Sequence, residues 1–198
     1  MLVEDTNFDD HKKNALNKLN KALDQDKVDK LVIPILQHIN EKDEYFTTSS
    51  CAGRIVVLQL PRIGDKKNAV FLGRWHRHVH LEEVQEALSR YTMGQAWLLT
   101  QPPIFHIGCK DLEAANELLT LGVTNGFKHS GIRSLSGQII VELNSTERMD
   151  MPIGKDKTLF IDDNSISFLV DVANTSLFRA QKKLSNLKEA INQINEEK

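Results

Sequence analysis

The spacing of apolar residues changes period along this chain, and each change predicts a different element. Phe8 to Asp24 sets Leu16, Leu19 and Leu23 three to four residues apart among Lys and Asn, which predicts an amphipathic surface helix. Val28 to Ile39 continues the helical spacing, with Pro34 either kinking it or standing near a helix start. The period then drops to two. "YFTTSS", "RIVVLQL" and "NAVFLGRWH" are rich in β-branched and aromatic residues, and "PRIGDKKN" between the last two carries the Pro, Gly, Asp and Asn of a hairpin loop. Leu81 to Tyr91 returns to helical spacing through Leu81, Val84 and Leu88, with Glu82 and Glu83 suiting the N-terminal dipole. "QAWLLTQPPIFHIGC" is a strand broken or bent at Pro102 and Pro103, and a helix from Asp111 to Leu121 follows, stopping near Gly122. "GFKHSGIRS" and "GQIIVELNS" form a hairpin around Leu135 to Gly137, and "LFI" adds one short strand.

The final segment is the most regular. Ile166, Leu169, Val170, Ala173, Leu177, Ala180, Leu184, Leu187, Ile191 and Ile194 form a heptad seam on one long helix, introduced by Asp162, Asp163 and Asn164 as caps. Its first half is expected to pack on the sheet and its second half to pair with the N-terminal helices; a coiled-coil dimer through the same seam is the alternative. The strand, helix, strand unit occurs twice, and no low-complexity linker interrupts the chain. The expectation is an α+β fold of residues 1–198 as a single domain, with a mixed, largely antiparallel sheet, flanking helices and a long C-terminal helix. A strand followed by a Gly-x-Gly loop is missing, so a Rossmann site is not expected.

Composition narrows the class. The chain has 198 residues, 40% hydrophobic and 26% charged, enough for a sizeable core. A formal net charge of -2 excludes a globally basic nucleic-acid coat and leaves room for a local basic patch. Two cysteines, Cys51 and Cys109, are too few for a disulfide framework and suit a reducing compartment. The opening "MLVEDTNFDDHKK" lacks the basic and apolar regions of a signal peptide, and runs such as "LVIPIL" are too short to cross a bilayer. A cytoplasmic protein is expected.

Three clusters carry candidate chemistry. In "SSCAGR", Arg54 follows Cys51 too closely for a phosphatase-type thiolate loop, and the strand "RIVVLQL" denies Cys51 the helix N-terminus of a papain-like nucleophile. A tight bend at Gly53 with a packed Cys51 remains, as does a small-ligand cradle. In the cradle, the hydroxyls of Thr48, Ser49 and Ser50, the backbone near Gly53 and the Arg54 fork hold a carboxylate or phosphate. In "GRWHRHVH", a strand would align Arg74, His76, His78 and His80 on one face, which admits a zinc site completed by Cys51, His106 or Cys109. A solvated strand end is the plainer alternative. Between Arg54 and His80 the bases Arg54, Arg62, Lys66, Lys67, Arg74 and Arg77 face only one acid, Asp65, so this stretch can attract phosphate. The third cluster places His106 in an apolar strand and Ser130 and Gly131 at a strand bend.

Taken in order, "FTTSSCAGRI", the His of "RWH", "PPIFHIGC", "NGFKHSGI", "NSTERMDMPI" and "ISFLVDVAN" resemble the tRNA wybutosine-synthesizing protein 3 family from about Asp9 to the C-terminal helix. The resemblance implies a cytoplasmic S-adenosylmethionine-dependent N-methyltransferase with no metal. Its implied acceptor is the aminocarboxypropyl-demethylwyosine base beside the anticodon of phenylalanine tRNA, with no role for DNA or a membrane. Carried over motif by motif, the implied positions are Ser49, Ser50, Cys51, Gly53, Arg54, His76, His106, Ser130, Gly131, Ser145, Thr146 and Asp150. Asn144 stands where some relatives carry a basic residue.

A sulfonium methyl is already electrophilic, so such chemistry needs alignment and a proton acceptor rather than a covalent nucleophile. His76, Ser50 and Cys51 are the candidates at the reacting centre. Ser49, Gly53, Arg54, His106, Ser130 and Gly131 are the candidates for the donor. Arg62, Lys66, Lys67, Arg74, Arg77, Ser145, Thr146 and Asp150 are those for the tRNA. Arg54 is expected to grip an aminocarboxypropyl carboxylate, a group that donor and acceptor share. Trp75, Trp97 and Phe127 are candidate rings for stacking a splayed base, with core packing as the alternative. The competing classes are a zinc-dependent hydrolase at His76, His78 and His80, and a non-catalytic RNA-binding module.

Overall fold

The computed structural model describes residues 7–196, with side chains as far as Asn192. Residues 1–6 of the acidic opening and the side chain of Ile194 lie outside that description. The elements run α1 (Phe8–Asp24), α2 (Ile33–Asn40), β1 (Tyr45–Cys51), β2 (Arg54–Leu60), β3 (Val70–Trp75), α3 (Leu81–Ser89), β4 (Gln95–Gln101) and β5 (Ile104–Cys109). Then come α4 (Leu112–Thr124), β6 (Gly131–Ser134), β7 (Ile139–Asn144), β8 (Met149–Lys155), β9 (Thr158–Leu159) and α5 (Asp163–Glu196). Each helix that periodicity predicts is present. Pro34 sits in the first turn of α2, where no helical partner for its N–H is required, so it starts that helix instead of kinking it. Asp111 caps α4 by accepting from the Ala114 N–H at 2.8 Å. Gly122 lies inside α4, where an added Cβ would stand 2.6 Å from a Leu143 methyl.

Among the described residues the strands form two sheets, and each pairing within them is antiparallel. The chain accordingly divides into two compact units. The first holds the described residues up to Ala52, Pro103–Thr146 and α5 from Gln181. Its sheet, β1-β5-β7-β6, turns Phe105, Ile107, Val141 and Leu143 onto Ile35, Leu36 and Ile39 of α2, Ala115 and Leu118 of α4, and Leu184, Leu187 and Ile191 of α5. The second holds Gly53–Pro102 and Glu147–Ala180. Its sheet, β3-β2-β4-β8-β9, turns Ile55, Val57, Ala96, Leu98 and Ile153 onto Val84, Ala87 and Leu88 of α3 and Ile166, Leu169, Val170, Ala173 and Leu177 of α5. Burying each Leu or Ile in these cores contributes about 1.5–3 kcal/mol. The heptad seam of α5 is thus buried inside the cores, its first half on one sheet and its second half beside α2.

Two sequence signals account for the division. Gly53 has φ 85°, a left-handed turn that ends β1 in one sheet and starts β2 in the other. Pro102 and Pro103 likewise separate β4 from β5. Strand β8 was not expected, and it carries Pro152 in its interior. It is accommodated opposite Trp97, where the β4–β8 register shifts and no ladder donor is required. No described helix is long and apolar enough to cross a membrane.

Candidate functional site

In the first unit, antiparallel register sets one row of polar side chains across the sheet. Ser49 on β1 lies opposite His106 on β5, and His106 opposite Glu142 on β7. The alternate residues Phe105, Ile107, Val141 and Leu143 enter the core, so the row occupies the other face. A register shift between Thr47 and Ser49 turns β1 from buried Thr47 to exposed Ser49. Ser49 Oγ lies 2.7 Å from His106 Nδ1, and His106 Nε2 lies 2.8 Å from Glu142 Oε2, which also accepts from Arg133 Nε at 2.8 Å. Burial pushes the Glu142 carboxyl up, but the His106 hydrogen bond and the Arg133 charge overcome it, and the net shift is below the usual carboxylate value. An ionised carboxylate only accepts, so neutral His106 carries its proton on Nε2 and presents a bare Nδ1 to the Ser49 hydroxyl. That arrangement can take a proton through Ser49. Thr48 donates its hydroxyl to the His106 carbonyl at 3.1 Å and steadies the same pair of strands.

Other predicted residues of this unit are placed differently. Ser50 and Cys51 close β1 and are half-buried, and the Ala52 N–H that follows donates to Asp29 Oδ2 at 2.8 Å. Ser130 holds the β6–β7 hairpin, donating to the Phe127 carbonyl at 2.5 Å and accepting from the Asn144 N–H at 3.1 Å. Gly131 stands opposite Glu142 with open space where a side chain would be. Ser145 is buried and Thr146 accepts from Lys183 Nζ at 3.0 Å, so both are tied into the fold. Phe127 is a core ring beside Phe105. Burial pushes the Cys109 thiol up to about 12, which leaves it inert.

The second unit carries the basic residues. On β2, Ile55 and Val57 face the core, so Arg54, Val56 and Leu58 face away. Register places Gln101 opposite Arg54, Arg74 opposite Val56 and Phe71 opposite Leu58, all on this outward face, where Val56 is fully buried and Phe71 is exposed. Arg54 donates Nε to Gln101 Oε1 at 2.5 Å, and the Arg54 and Arg74 guanidinium carbons each lie 5.6 Å from the Phe71 ring centroid. Among the described residues no carboxylate pairs with Arg54, Arg74, Lys66 or Lys67. Lys66 and Lys67 form a short 3-10 turn in the β2–β3 connection, beside Arg62, which lies 3.8 Å from Asp65. Arg77 is already engaged, donating to Glu83 at 2.7 and 3.0 Å, and those bonds hold the Glu83 carboxyl down at about 2. Asp150 on β8 accepts from Arg148 at 2.6 Å. Trp75 lies over Gly73 and packs on the core, while Trp97 donates Nε1 to Gln95.

The alignment of three histidines on one strand face does not hold. β3 ends at Trp75, so the alternation that would align His76, His78 and His80 does not extend to them. His76 sits in the bend after the strand, and His80 is the N-cap of α3. No metal-capable cluster of described residues includes His78 or His80. Buried Asn174 of α5 fastens this segment, accepting from the Val79 N–H and donating to the Val79 carbonyl, both at 2.9 Å. Sequence reasoning passed over Glu142, Arg133, Phe71, Gln101 and Asn174. An acid inside the apolar run "IIVELN" was the one available signal for Glu142.

The family model described as Methyltransferase TYW3 matches residues 10–193. A Thermococcus kodakarensis protein named tRNA(Phe) 7-((3-amino-3-carboxypropyl)-4-demethylwyosine(37)-N(4))-methyltransferase 1 is 46% identical over 198 residues, the whole of both chains. An Archaeoglobus fulgidus protein of the same name without the final numeral is 38% identical over 190 residues, 96% of each chain. Among solved structures, the PH1069 protein from Pyrococcus horikoshii matches with a TM-score of 0.90 at 46% identity, over 93% of this chain and 96% of that one. A hypothetical protein from Aeropyrum pernix matches with a TM-score of 0.73 at 26% identity, over 83% and 98%. The chain belongs to the TYW3 methyltransferase family.

Proposed function

We propose that this TYW3-family chain methylates a ring nitrogen of the 7-(3-amino-3-carboxypropyl)-4-demethylwyosine base at position 37 of phenylalanine tRNA, next to the anticodon, in the cytoplasm. The observation that carries the proposal is the 46% identity, without truncation of either chain, to a relative bearing that name. The methyl donor is S-adenosylmethionine, which supplies an electrophilic sulfonium methyl when bound. The chain's own residues then have two tasks, to hold carboxylate-bearing ligands and to receive the proton that the acceptor nitrogen loses on forming its N–CH3 bond. Arg54, fixed through Nε by Gln101 and without a carboxylate partner among the described residues, fits the first task. Two antiparallel sheets offer no Rossmann loop, so the donor is held in a non-Rossmann manner, with Ser49, Gly53, His106, Ser130 and Gly131 as the candidate positions.

For the second task the candidates are His76, with Ser50 and Cys51 preceding it in the chain, and His106 acting through Ser49. The geometry favours His106, because Glu142 fixes its tautomer and directs Nδ1 to the Ser49 hydroxyl. Restoration of a His106→Ala variant, but not of His76→Ala, by free imidazole would separate the two. Lys66 and Lys67 are the proposed phosphate contacts, with Arg62, and Arg74 is a further proposed tRNA contact beside Phe71; Arg77 is less available because Glu83 holds it.

The deciding experiment is mass spectrometry of phenylalanine tRNA nucleosides from cells lacking the gene. The unmethylated aminocarboxypropyl intermediate should accumulate, and purified protein with S-adenosylmethionine should convert it. An unchanged nucleoside profile would favour the non-catalytic RNA-binding module instead.

A further inference from the structure

The outward face of the second unit's sheet carries a feature that the expected site does not use. Phe71 is 48% exposed on β3, the edge strand of its sheet. A singly exposed ring is ordinary on a protein surface; what sets this one apart is the charge beside it. Two guanidinium groups approach it at 5.6 Å, and no described carboxylate neutralises either. Acidic peptide would suit the cations and not the ring, and an apolar partner would strand both charges. A flat, electron-rich heterocycle bearing an anionic group suits all three side chains.

We propose that Phe71, Arg54 and Arg74 form the acceptor-base subsite, Phe71 stacking the unpaired tricyclic base and the two arginines taking the carboxylate of its aminocarboxypropyl tail. This rests on the functional reading above and resolves which of the two tail-bearing ligands Arg54 holds. Gln101 on β4 fixes Arg54 Nε, and the guanidinium carbon lies 5.6 Å from the Phe71 ring on the other flank of β2, so this one side chain would meet both the base and its charge. Lys66 and Lys67, in the loop leading into β3, are the cations nearest in sequence to Phe71 for the neighbouring phosphates. The subsite therefore reads the tail as well as the ring, and selects tRNA that has already received its aminocarboxypropyl group.

The test is equilibrium binding of two phenylalanine tRNAs, one with the tail and one from the preceding, tailless stage, to wild type and to Phe71→Ala, Phe71→Trp, Arg54→Ala and Arg54→Lys. Phe71→Ala should weaken both tRNAs alike, by about 5- to 150-fold, with recovery in Phe71→Trp. Its dependence on salt should match wild type, whereas Lys66→Ala, at a phosphate contact, should lower the slope of log affinity on log salt by about 0.7. Arg54→Ala should abolish the preference for the tailed tRNA while S-adenosylmethionine still raises the melting temperature as in wild type. Phe71→Ala binding within twofold of wild type would overturn the stacking role. A preserved tail preference in Arg54→Ala, with donor binding lost instead, would move the carboxylate grip to the donor. Failure of wild type itself to bind either tRNA would remove the functional reading, a result distinct from both.

Discussion

Replacing Glu142 by Gln tests whether the row on the first sheet is an ionic arrangement or only a packed one. Glu142 has a 9% exposed side chain, and both His106 Nε2 and Arg133 Nε converge on the same oxygen at 2.8 Å. Glutamine keeps the shape and an acceptor oxygen, so each bond changes from charge-assisted to neutral, a loss of about 1 kcal/mol apiece. The Arg133 side chain is 63% exposed, so water recovers much of its share. The net cost is about 1–2 kcal/mol, or about 2–8 °C in melting temperature for a chain of this length. The pH dependence has a definite sign. The folded-state pKa of Glu142 is lowered, so its stabilisation is full above the unfolded value of about 4.3 and disappears as pH falls through the folded value. Thermal melts followed by circular dichroism should show wild type ahead of Glu142→Gln at about pH 7, with the gap closing in the acid range below the ordinary carboxylate pKa. A gap that persists unchanged into acid, or none at neutral pH, would refute the ionic account.

Two further substitutions probe the supports behind the two faces. Gly108→Ala would bring a Cβ to 2.2 Å from the Phe46 ring, which is fully buried and backed by Phe8 at 5.2 Å; a loss of about 1–3 kcal/mol in chemical denaturation is expected, and a midpoint equal to wild type would contradict it. Asn174→Ala would leave the buried Val79 N–H and carbonyl without their partner, costing about 2–4 kcal/mol and raising amide exchange at Val79 above wild type; unaltered exchange there would show that Asn174 does not hold the segment carrying His76.

The elements were legible because periodicity is a local property. The Leu spacing of α1, the seam of α5, the bend at Gly53 and the break at Pro102 and Pro103 each depend on a few neighbouring residues, and each appears where the sequence places it. The order of strands is not local. Glu142 is the plainest instance: alternation in "IIVELN" puts it opposite to Val141 and Leu143, but nothing in that run says that its neighbour across the ladder is His106. The pairing is decided by how β5 and β7 bury their apolar sides against α2 and α4, and the polar row follows from the same register on the reverse side. Arg54 and Phe71 meet by the same logic, through a register shift between Val57 and Leu58 that sends Leu72 toward the core and Phe71 outward. Moving that shift by one residue would bury Phe71 and expose Leu72, so the bulge in β2–β3 decides which apolar side chain of "NAVFLGRWH" shares a face with the two arginines. Chemistry-bearing residue types can therefore be named from one chain, whereas their partners are set by core packing on the opposite face of each sheet.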